Sequence, residues 1–329
     1  MQLDPRAELL LSRCLAALRP VLIGFMVANA VSLSGGQADA LSFCNVLFVG
    51  NFSAAVVVIL WFRAGPILSD LRALSRRDRF MLIVDGAIGA LTSSLIYTGL
   101  SYTSSTNAIL LGRLAPVLYA LLGALVLGQA VRPREWFGFG FILSGTLLVA
   151  LIGSQGNVNK GDALILASTL LFAIASVFRK VVLGKRVSLR ALIFSRNASS
   201  SIIFFVIASV SYGSDHFADA FRGELWLLMG IYALVVIVIA QFLWFDASRR
   251  LGAISIGRWA TPAPAIGVLA AALLNQEWPN SSQISGLLVI MIGVLITAFA
   301  PSKANDSSRE QRNAMDLKLN SAEMVSSVT

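Results

Sequence analysis

Ten runs of about twenty apolar residues dominate the sequence and restrict the possible folds more than any other feature. Their approximate limits are 14–33, 40–62, 80–99, 105–128, 135–153, 162–180, 191–210, 224–246, 253–274 and 284–300. A helix of roughly 20 apolar residues crosses the bilayer core of about 30 Å. The runs lack the apolar–polar alternation of membrane strands. The sequence therefore predicts an all-α integral membrane protein with about ten transmembrane helices, which we number as spans one to ten.

Composition excludes a soluble fold. The chain is 57% hydrophobic and 13% charged, whereas soluble domains are about half apolar and about a quarter charged. The excess of apolar side chains has to face the lipid bilayer. The formal net charge is +9, but the basic residues sit mainly in short loops and form no continuous basic face. We therefore expect no nucleic-acid partner.

The distribution of basic residues predicts the orientation. Placing the N-terminus in the cytoplasm puts the following residues in internal segments: Arg6, Arg13, Arg19, Arg63, Arg72, Arg76, Arg77, Arg79, Arg132, Arg134, Arg179, Lys180, Lys185, Arg186, Arg190, Arg249, Arg250 and the four basic residues of the tail. The external loops then hold only Lys160 and Arg222. The positive-inside rule predicts a multi-pass protein of the plasma (inner) membrane with both termini in the cytoplasm. Residues 302–329 are polar and are predicted to form a disordered cytoplasmic tail.

The second half of the chain repeats the first at an offset of 148 residues. The matches are Ala115 on Ala263, Pro116 on Pro264, Ala124 on Ala272, Gly138 on Gly286, Gly145 on Gly293, Leu147 on Leu295 and Ala150 on Ala298. The offset pairs spans three to five with spans eight to ten. Because equivalent spans are five apart, the two copies enter the membrane in opposite orientations. The sequence predicts two inverted-topology repeats of five helices, residues 1–153 and 154–301.

Each copy joins a proline-containing helix, an acidic or amide residue, a polar turn and a Gly-x6-Gly helix. In this pattern the chain resembles the EamA family of the drug/metabolite transporter superfamily. The second copy, from Pro264 through Glu277 to Gly286 and Gly293, is similar to the family pattern, while the first copy has Gln129 where an acid is usual. The resemblance implies two bundles of five helices, with metabolite or drug export as the commonest activity.

Three arginines within predicted spans are candidates for a polar site: Arg113, Arg196 and Arg258. An arginine at the centre of a lipid-facing helix costs about 2.5 to 3.5 kcal/mol on insertion scales, so such residues usually face a cavity or a partner. Guanidinium groups bind carboxylates and phosphates in bidentate fashion, which predicts an anionic or zwitterionic substrate. The structural alternatives are that Arg113 pairs with a helix carbonyl or with Asp85, and that Arg196 and Arg258 extend to the headgroups.

Three prolines interrupt the spans that carry Arg113 and Arg258. Pro116 leaves the carbonyl of Gly112 without its helical donor, and Pro262 and Pro264 do the same to two carbonyls of span nine. Freed carbonyls beside an arginine are tolerated where protein or a wet cavity satisfies them. A simple kink in a membrane helix explains the prolines equally well.

Other polar residues inside the spans are candidates for the same cavity. Asp85 is the only carboxylate within span three and is our candidate for proton coupling, with an interfacial acid or an ion-pair partner as the alternatives. The candidate substrate-binding residues besides the arginines are Asn107, Ser255, Trp259, Thr261, Tyr97 and Gln241. Their side chains could instead form hydrogen bonds between neighbouring helices with no ligand involved.

The sequence thus predicts a secondary transporter of a small metabolite, an exporter that works by alternating access. The alternative is an integral-membrane enzyme such as a transferase or phosphatase. Such an enzyme needs a nucleophile with a base, a carboxylate pair or a metal cluster, and the sole histidine, His216, has only Asp215 and Asp219 beside it. We expect no cofactor and no metal. The sequence leaves a coupling proton and a homodimer open.

Overall fold

A computed structural model describes residues 4–29, 43–127, 131–152, 159–183, 186–213, 223–250 and 263–298. Within these ranges the regular structure is entirely helical. The helices are α1 (Pro5–Ala28), α2 (Phe43–Phe62), α3 (Ala64–Ala73), α4 (Arg76–Leu100), α5 (Ser105–Leu111), α6 (Ala115–Leu127), α7 (Pro133–Leu147), α8 (Lys160–Phe178), α9 (Leu189–Tyr212), α10 (Gly223–Tyr232), α11 (Ala240–Arg250), α12 (Ala263–Leu274) and α13 (Ser281–Ala298).

Four shorter turns continue these helices. A 3₁₀ turn, Gly112–Leu114, joins α5 to α6, and π-helical turns follow α7 (Leu148–Ile152), α8 (Arg179–Leu183) and α10 (Ala233–Ile239). In the described part of the chain, eight helical segments are long and apolar enough to cross a membrane, and α12 and α13 are shorter apolar helices. The all-α membrane architecture predicted from the sequence is confirmed.

The first helix begins at Pro5, ahead of the apolar span that hydropathy predicts from residue 14. Asp4 caps the helix, because its side chain accepts a hydrogen bond from the backbone N–H of Arg6 at 3.0 Å, and Pro5 occupies the first turn, where its missing N–H costs nothing. Arg13 consequently lies inside α1 instead of in a loop before it, and Arg19, which the predicted span already contained, lies inside α1 as well.

Helix α3 was not expected, since residues 63–79 were assigned to an internal loop. The carboxylate of Asp70 ties α3 to the start of α9, accepting hydrogen bonds from Arg190 Nε at 2.6 Å and Nη2 at 2.9 Å and from the Ser188 hydroxyl. The hydrogen bonds from Arg190 and Ser188 lower the pKa of Asp70 to about 2. Asp70 therefore remains ionised at neutral pH.

Two glycine pairs bring α7 and α13 into backbone contact. A Cβ atom on Gly138 would lie 2.8 Å from the carbonyl oxygen of Gly293, and one on Gly286 would lie 3.0 Å from that of Gly145. The 148-residue offset maps Gly138 onto Gly286 and Gly145 onto Gly293. The two contacts are therefore equivalent, as expected for two halves related by a pseudo-two-fold axis through this interface.

Other helix contacts also agree with the pseudo-two-fold relation between the halves. Helices α2 and α9, one from each half, pack on each other, and α4 packs on α8 as α11 packs on α1. We call the end of the bundle at which α1, α4 and α9 begin the basic end, and the end at which they finish the far end. The side chains that face the interior between these ends form the candidate site.

Adding one methyl group at Gly145 is expected to lower the melting temperature of the protein in detergent. A Cβ there would lie 2.7 Å from Ile290 and 2.8 Å from the Gly286 carbonyl, so α7 and α13 would have to separate. Gly140 on the same helix has nothing within 4 Å of its ideal Cβ, and alanine has the higher helix propensity by about 1 kcal/mol. Gly140→Ala should therefore leave the melting temperature unchanged or raise it. Equal effects of Gly145→Ala and Gly140→Ala would contradict this interface.

Candidate functional site

One side of α4 faces the interior of the bundle. Asp85, Gly89, Ser93 and Tyr97 are spaced four residues apart, so they follow one another along roughly the same face of the helix. Asp85 is fully buried, and Ser93 and Tyr97 are buried as well. Arginines from three other helices extend towards this face.

Asp85 forms two ion pairs. It accepts from Nη1 of Arg179, the first residue of the π-helical turn after α8, at 2.9 Å, and from Nη1 of Arg196 on α9 at 3.1 Å. The two arginine side chains are only 10% and 14% exposed. Of the structural alternatives set out above, Asp85 is an ion-pair partner, but its partners are Arg179 and Arg196, and Arg113 does not pair with it.

Two glycines of α4 make room for this arrangement. A Cβ on Gly89 would lie 2.9 Å from Cζ of Arg196, so the guanidinium group packs where a side chain would otherwise be. At Gly86 the carbonyl oxygen accepts a hydrogen bond from the Ser200 hydroxyl at 2.9 Å. The close approach of α4 and α9 places Arg196 against the α4 face.

Arg19 reaches the same face one turn further along. Its Nη2 donates to the Ser93 hydroxyl at 2.8 Å, and Tyr232 at the end of α10 lies within interaction range of it. Its Nε is buried and has no hydrogen-bond partner among the described residues. Because Gly89 and Ser93 are one helical turn apart, the guanidinium groups of Arg196 and Arg19 contact neighbouring positions on α4.

Arg13 and Arg113 form a second group. Cζ of Arg13 lies 3.7 Å from the centroid of the Trp244 ring, and its buried Nε lacks a hydrogen-bond partner within the described ranges. Nε of Arg113 donates to the carbonyl of Ile109 at 3.4 Å, as the structural alternative predicted. The two arginines are close enough for their positive charges to repel each other.

These five arginines, Arg13, Arg19, Arg113, Arg179 and Arg196, are the arginine cluster. Asp85 is the carboxylate that pairs with two of them. In the part of the chain that the structure describes, Arg13, Arg19 and Arg113 have no ion pair. Unbalanced charge away from water is costly unless a counter-charge is supplied. The cluster is therefore suited to binding an anion.

The structure brings together only some of the predicted site residues. Arg113, Arg196, Asp85 and Tyr97 lie in or beside the cluster, and Gln241 on α11 accepts a hydrogen bond from Asn197 of α9 at 3.4 Å. Five of the predicted residues lie outside the described residues: Arg258, Ser255, Trp259, Thr261 and Pro262. Gln129, which departs from the family pattern, also lies outside them.

Asn107 belongs to a separate polar network at the far end. Its Nδ2 donates to Asp162 Oδ1 at 3.3 Å, and its Oδ1 accepts from Gln283 Nε2 at 2.7 Å. The Thr103 hydroxyl donates to the same Asp162 oxygen at 2.5 Å. Another carboxylate, Glu277, accepts from the backbone N–H of Thr106 at 3.1 Å. We call these residues the far-end network, which joins α5 to α8 and α13.

Two of the three predicted helix-break prolines lie within the described residues, and their surroundings differ. Pro116 follows the 3₁₀ turn, in which the N–H of Ala115 donates to the carbonyl of Gly112. The carbonyl that Pro116 leaves without its helical donor is thus satisfied by tighter winding of the chain. Pro264 is buried in the first turn of α12.

Three members of the cluster were not predicted as site residues from the sequence. Arg13, Arg19 and Arg179 were counted among the basic residues of internal segments. For Arg13 a signal was present, because an Asp–Pro pair at residues 4 and 5 is a common helix start, and a helix beginning there includes Arg13. Arg19 already lay inside predicted span one, near its start. For Arg179 no comparable signal exists, since it lies in the last predicted residues of span six.

Two opposed sets of membrane helices with charged side chains at their interface define a class of protein, the helical carriers that move solutes across membranes. The chain belongs to the EamA-like transporter family, whose model matches residues 14–151 and again residues 159–299. The resemblance noted from the sequence is thereby confirmed, and the two matches agree with an architecture of two repeats and about ten membrane helices.

Known proteins resemble the chain over most of its length. An uncharacterized transporter from Synechocystis is 29% identical over 297 residues, which cover 84% of this chain and 83% of that protein. A probable amino-acid metabolite efflux pump from Escherichia coli is 24% identical over 188 residues, covering 54% of this chain and 62% of the pump. A solved crystal structure has the same fold, with a TM-score of 0.57 and 18% identity over 87% of this chain and 96% of its own.

The family membership decides the broad function. The protein is a multi-pass membrane protein that transports a small molecule across a lipid bilayer, and it is not an enzyme. The alternative of a membrane transferase or phosphatase is therefore excluded.

Asp85→Asn is expected to lower the melting temperature of the purified protein strongly. Removing one partner of a buried ion pair costs about 3 to 5 kcal/mol, and here two guanidinium groups lose their carboxylate. Asp70→Asn is the matched control, because it removes the carboxylate of a partly exposed pair that is worth about 0 to 1 kcal/mol. A thermal-unfolding assay in which both variants melt together would contradict the buried pairing of Asp85.

Proposed function

We propose that the protein exports an anionic or zwitterionic metabolite by alternating access, with the arginine cluster as the cargo site. The observation that carries the proposal is the excess of half-buried guanidinium groups over carboxylates. Arg13, Arg19 and Arg113 come from the predicted first repeat, and Arg179 and Arg196 from the second. A site that takes its charges from both repeats is exposed to each side in turn when one repeat rocks against the other.

The contacts at the two ends of the bundle supply candidate gates. The far-end network connects α5 of the first repeat to α8 and α13 of the second. At the basic end, Arg250 of α11 forms an ion pair with Glu8 of α1. In this proposal each set of contacts opens while the other is closed.

Asp85 is the proposed site of proton coupling. Arg179 and Arg196 contact Asp85 directly. An anion that binds Arg196 competes with Asp85 for the same N–H donors. Cargo binding at Arg196 is therefore linked to the ion pairs of Asp85, while Arg179 remains in contact with it.

The proposed direction and location rest on the basic residues and on a relative. The basic residues favour an orientation with the basic end and both termini in the cytoplasm, in the plasma (inner) membrane. Export is supported by the similarity to the probable amino-acid metabolite efflux pump of Escherichia coli. The homodimer and the division at residues 153 and 154 stay predictions.

Arg196→Gln is expected to abolish export, and Arg113→Gln to reduce it, with normal membrane insertion of both variants. Losing a charge-assisted hydrogen bond of about 1.5 to 3 kcal/mol corresponds to about tenfold or more in affinity. The measurement is a metabolite comparison of the medium from cells that express each variant. Arg190→Gln is the control, because Arg190 lies on the same helix and pairs with Asp70 outside the cluster. Unchanged export by Arg196→Gln would remove Arg196 from the site.

Asp85→Asn is expected to uncouple transport from the proton gradient. In proteoliposomes, an imposed pH gradient should accelerate efflux by the parent protein but not by this variant. Cargo exchange without a gradient should persist in the variant at temperatures where it stays folded, because the arginines remain. If the variant responded to the pH gradient as the parent does, Asp85 would not be the coupling group.

A further inference from the structure

We infer that the cargo carries at least two negative charges, as a dicarboxylate or a phosphate monoester does, and that a zwitterionic amino acid is not the preferred cargo. This inference rests on the proposed function, since it concerns the same site. It narrows the proposed cargo from an anionic or zwitterionic solute to a dianion, by comparing the positive and negative charges of the site.

The first step is the balance of charge. The cluster holds five guanidinium groups, and Asp85 neutralises one positive charge. A monoanion would neutralise one more, and a zwitterion none, because its ammonium group cancels its carboxylate. A dianion neutralises two positive charges, so it leaves a smaller excess of positive charge than a monoanion or a zwitterion does. Since unbalanced charge is costly away from water, the site favours cargo with the larger negative charge.

The second step is the lack of a site for an ammonium group. Such a group needs a carboxylate or several oxygen acceptors. Among the residues that the structure describes, the carboxylate in contact with the cluster is Asp85, and both its oxygens already accept from arginines. Glu8 is bound to Arg250, and Asp162 lies in the far-end network. A zwitterion would therefore bring a positive charge into a site that already has too many.

The third step is the arrangement of donors. The Nε atoms of Arg13 and Arg19 are buried without acceptors in the described portion of the chain. Arg13 and Arg113 form one group beside Trp244, and Arg19 and Arg196 form another along Ser93 and Gly89 of α4. Each group combines an arginine of α1 with an arginine from elsewhere in the bundle, and two such groups suit a cargo with two anionic oxygen sets, each bound by guanidinium forks.

The test measures binding and transport by the full-length protein with four probes at equal ionic strength. These probes are succinate, glycerol 3-phosphate, lactate and alanine. A ligand that binds only the folded state raises the melting temperature, and the stabilisation grows with the logarithm of one plus the ratio of its concentration to its Kd. We expect succinate or glycerol 3-phosphate to bind at least about tenfold more tightly than lactate, and alanine to cause no shift. Counterflow in proteoliposomes should follow the same order.

The outcomes separate the two proposals. Equal or tighter binding of lactate or alanine, with counterflow, overturns the dianion inference and leaves the proposed function standing. If no probe binds and none is transported, the dianion inference is overturned. If, in addition, cells with and without the protein release the same metabolites, the proposed function fails as well.

A variant supplies a second readout that does not require transport. Arg113→Gln removes one unbalanced positive charge, so the anion-free protein should melt at a higher temperature than the parent, while the stabilisation by succinate or glycerol 3-phosphate should shrink. Arg190 lies outside the cluster, so Arg190→Gln leaves the excess charge of the cluster as it is. Succinate or glycerol 3-phosphate should therefore stabilise this variant as much as they stabilise the parent. A lower melting temperature for anion-free Arg113→Gln, with an undiminished anion response, would contradict the charge argument.

Discussion

The ion pairs of Asp85 determine how the rest of the interior is organised. A single buried carboxylate holds Arg179 of α8 and Arg196 of α9 against α4, and so links the predicted first repeat to the second through charge. Glycines on α4 make this contact possible, because Gly89 leaves space for the Arg196 guanidinium group. Asp85 does not balance the other arginines, and this remaining positive charge is what makes the interior suitable for an anion.

The contacts between the two halves that surround this charged interior are of two kinds. The backbone contact of α7 with α13 maps onto itself under the repeat offset and involves no charged group. The far-end network and the Arg250–Glu8 pair, in contrast, are polar contacts that can exchange for water. Such a division between an apolar, closely packed interface and polar contacts at both ends is suited to halves that rock while remaining together.

Much of the fold could be predicted from the sequence because hydropathy and repeats depend on local composition. The membrane helices, the odd offset and the matched glycines are all visible in the chain itself. The site was harder to predict. Arg113 and Arg196 stood out inside apolar runs, whereas Arg13, Arg19 and Arg179 lay near predicted span ends and were counted as orientation signals. That Asp85 pairs with Arg179 depends on the contact between α4 and α8, which no feature of either helix alone reveals.

The most direct test of an anion site between the two halves is anomalous diffraction from crystals of the full-length protein soaked in selenate. The anion carries two negative charges, and its selenium atom can be located without assumptions about the cargo. The account predicts a selenium peak inside the bundle, in hydrogen-bond contact with guanidinium groups of the arginine cluster on the α4 face. Peaks found only at surface residues such as Arg190, with the interior empty, would contradict it.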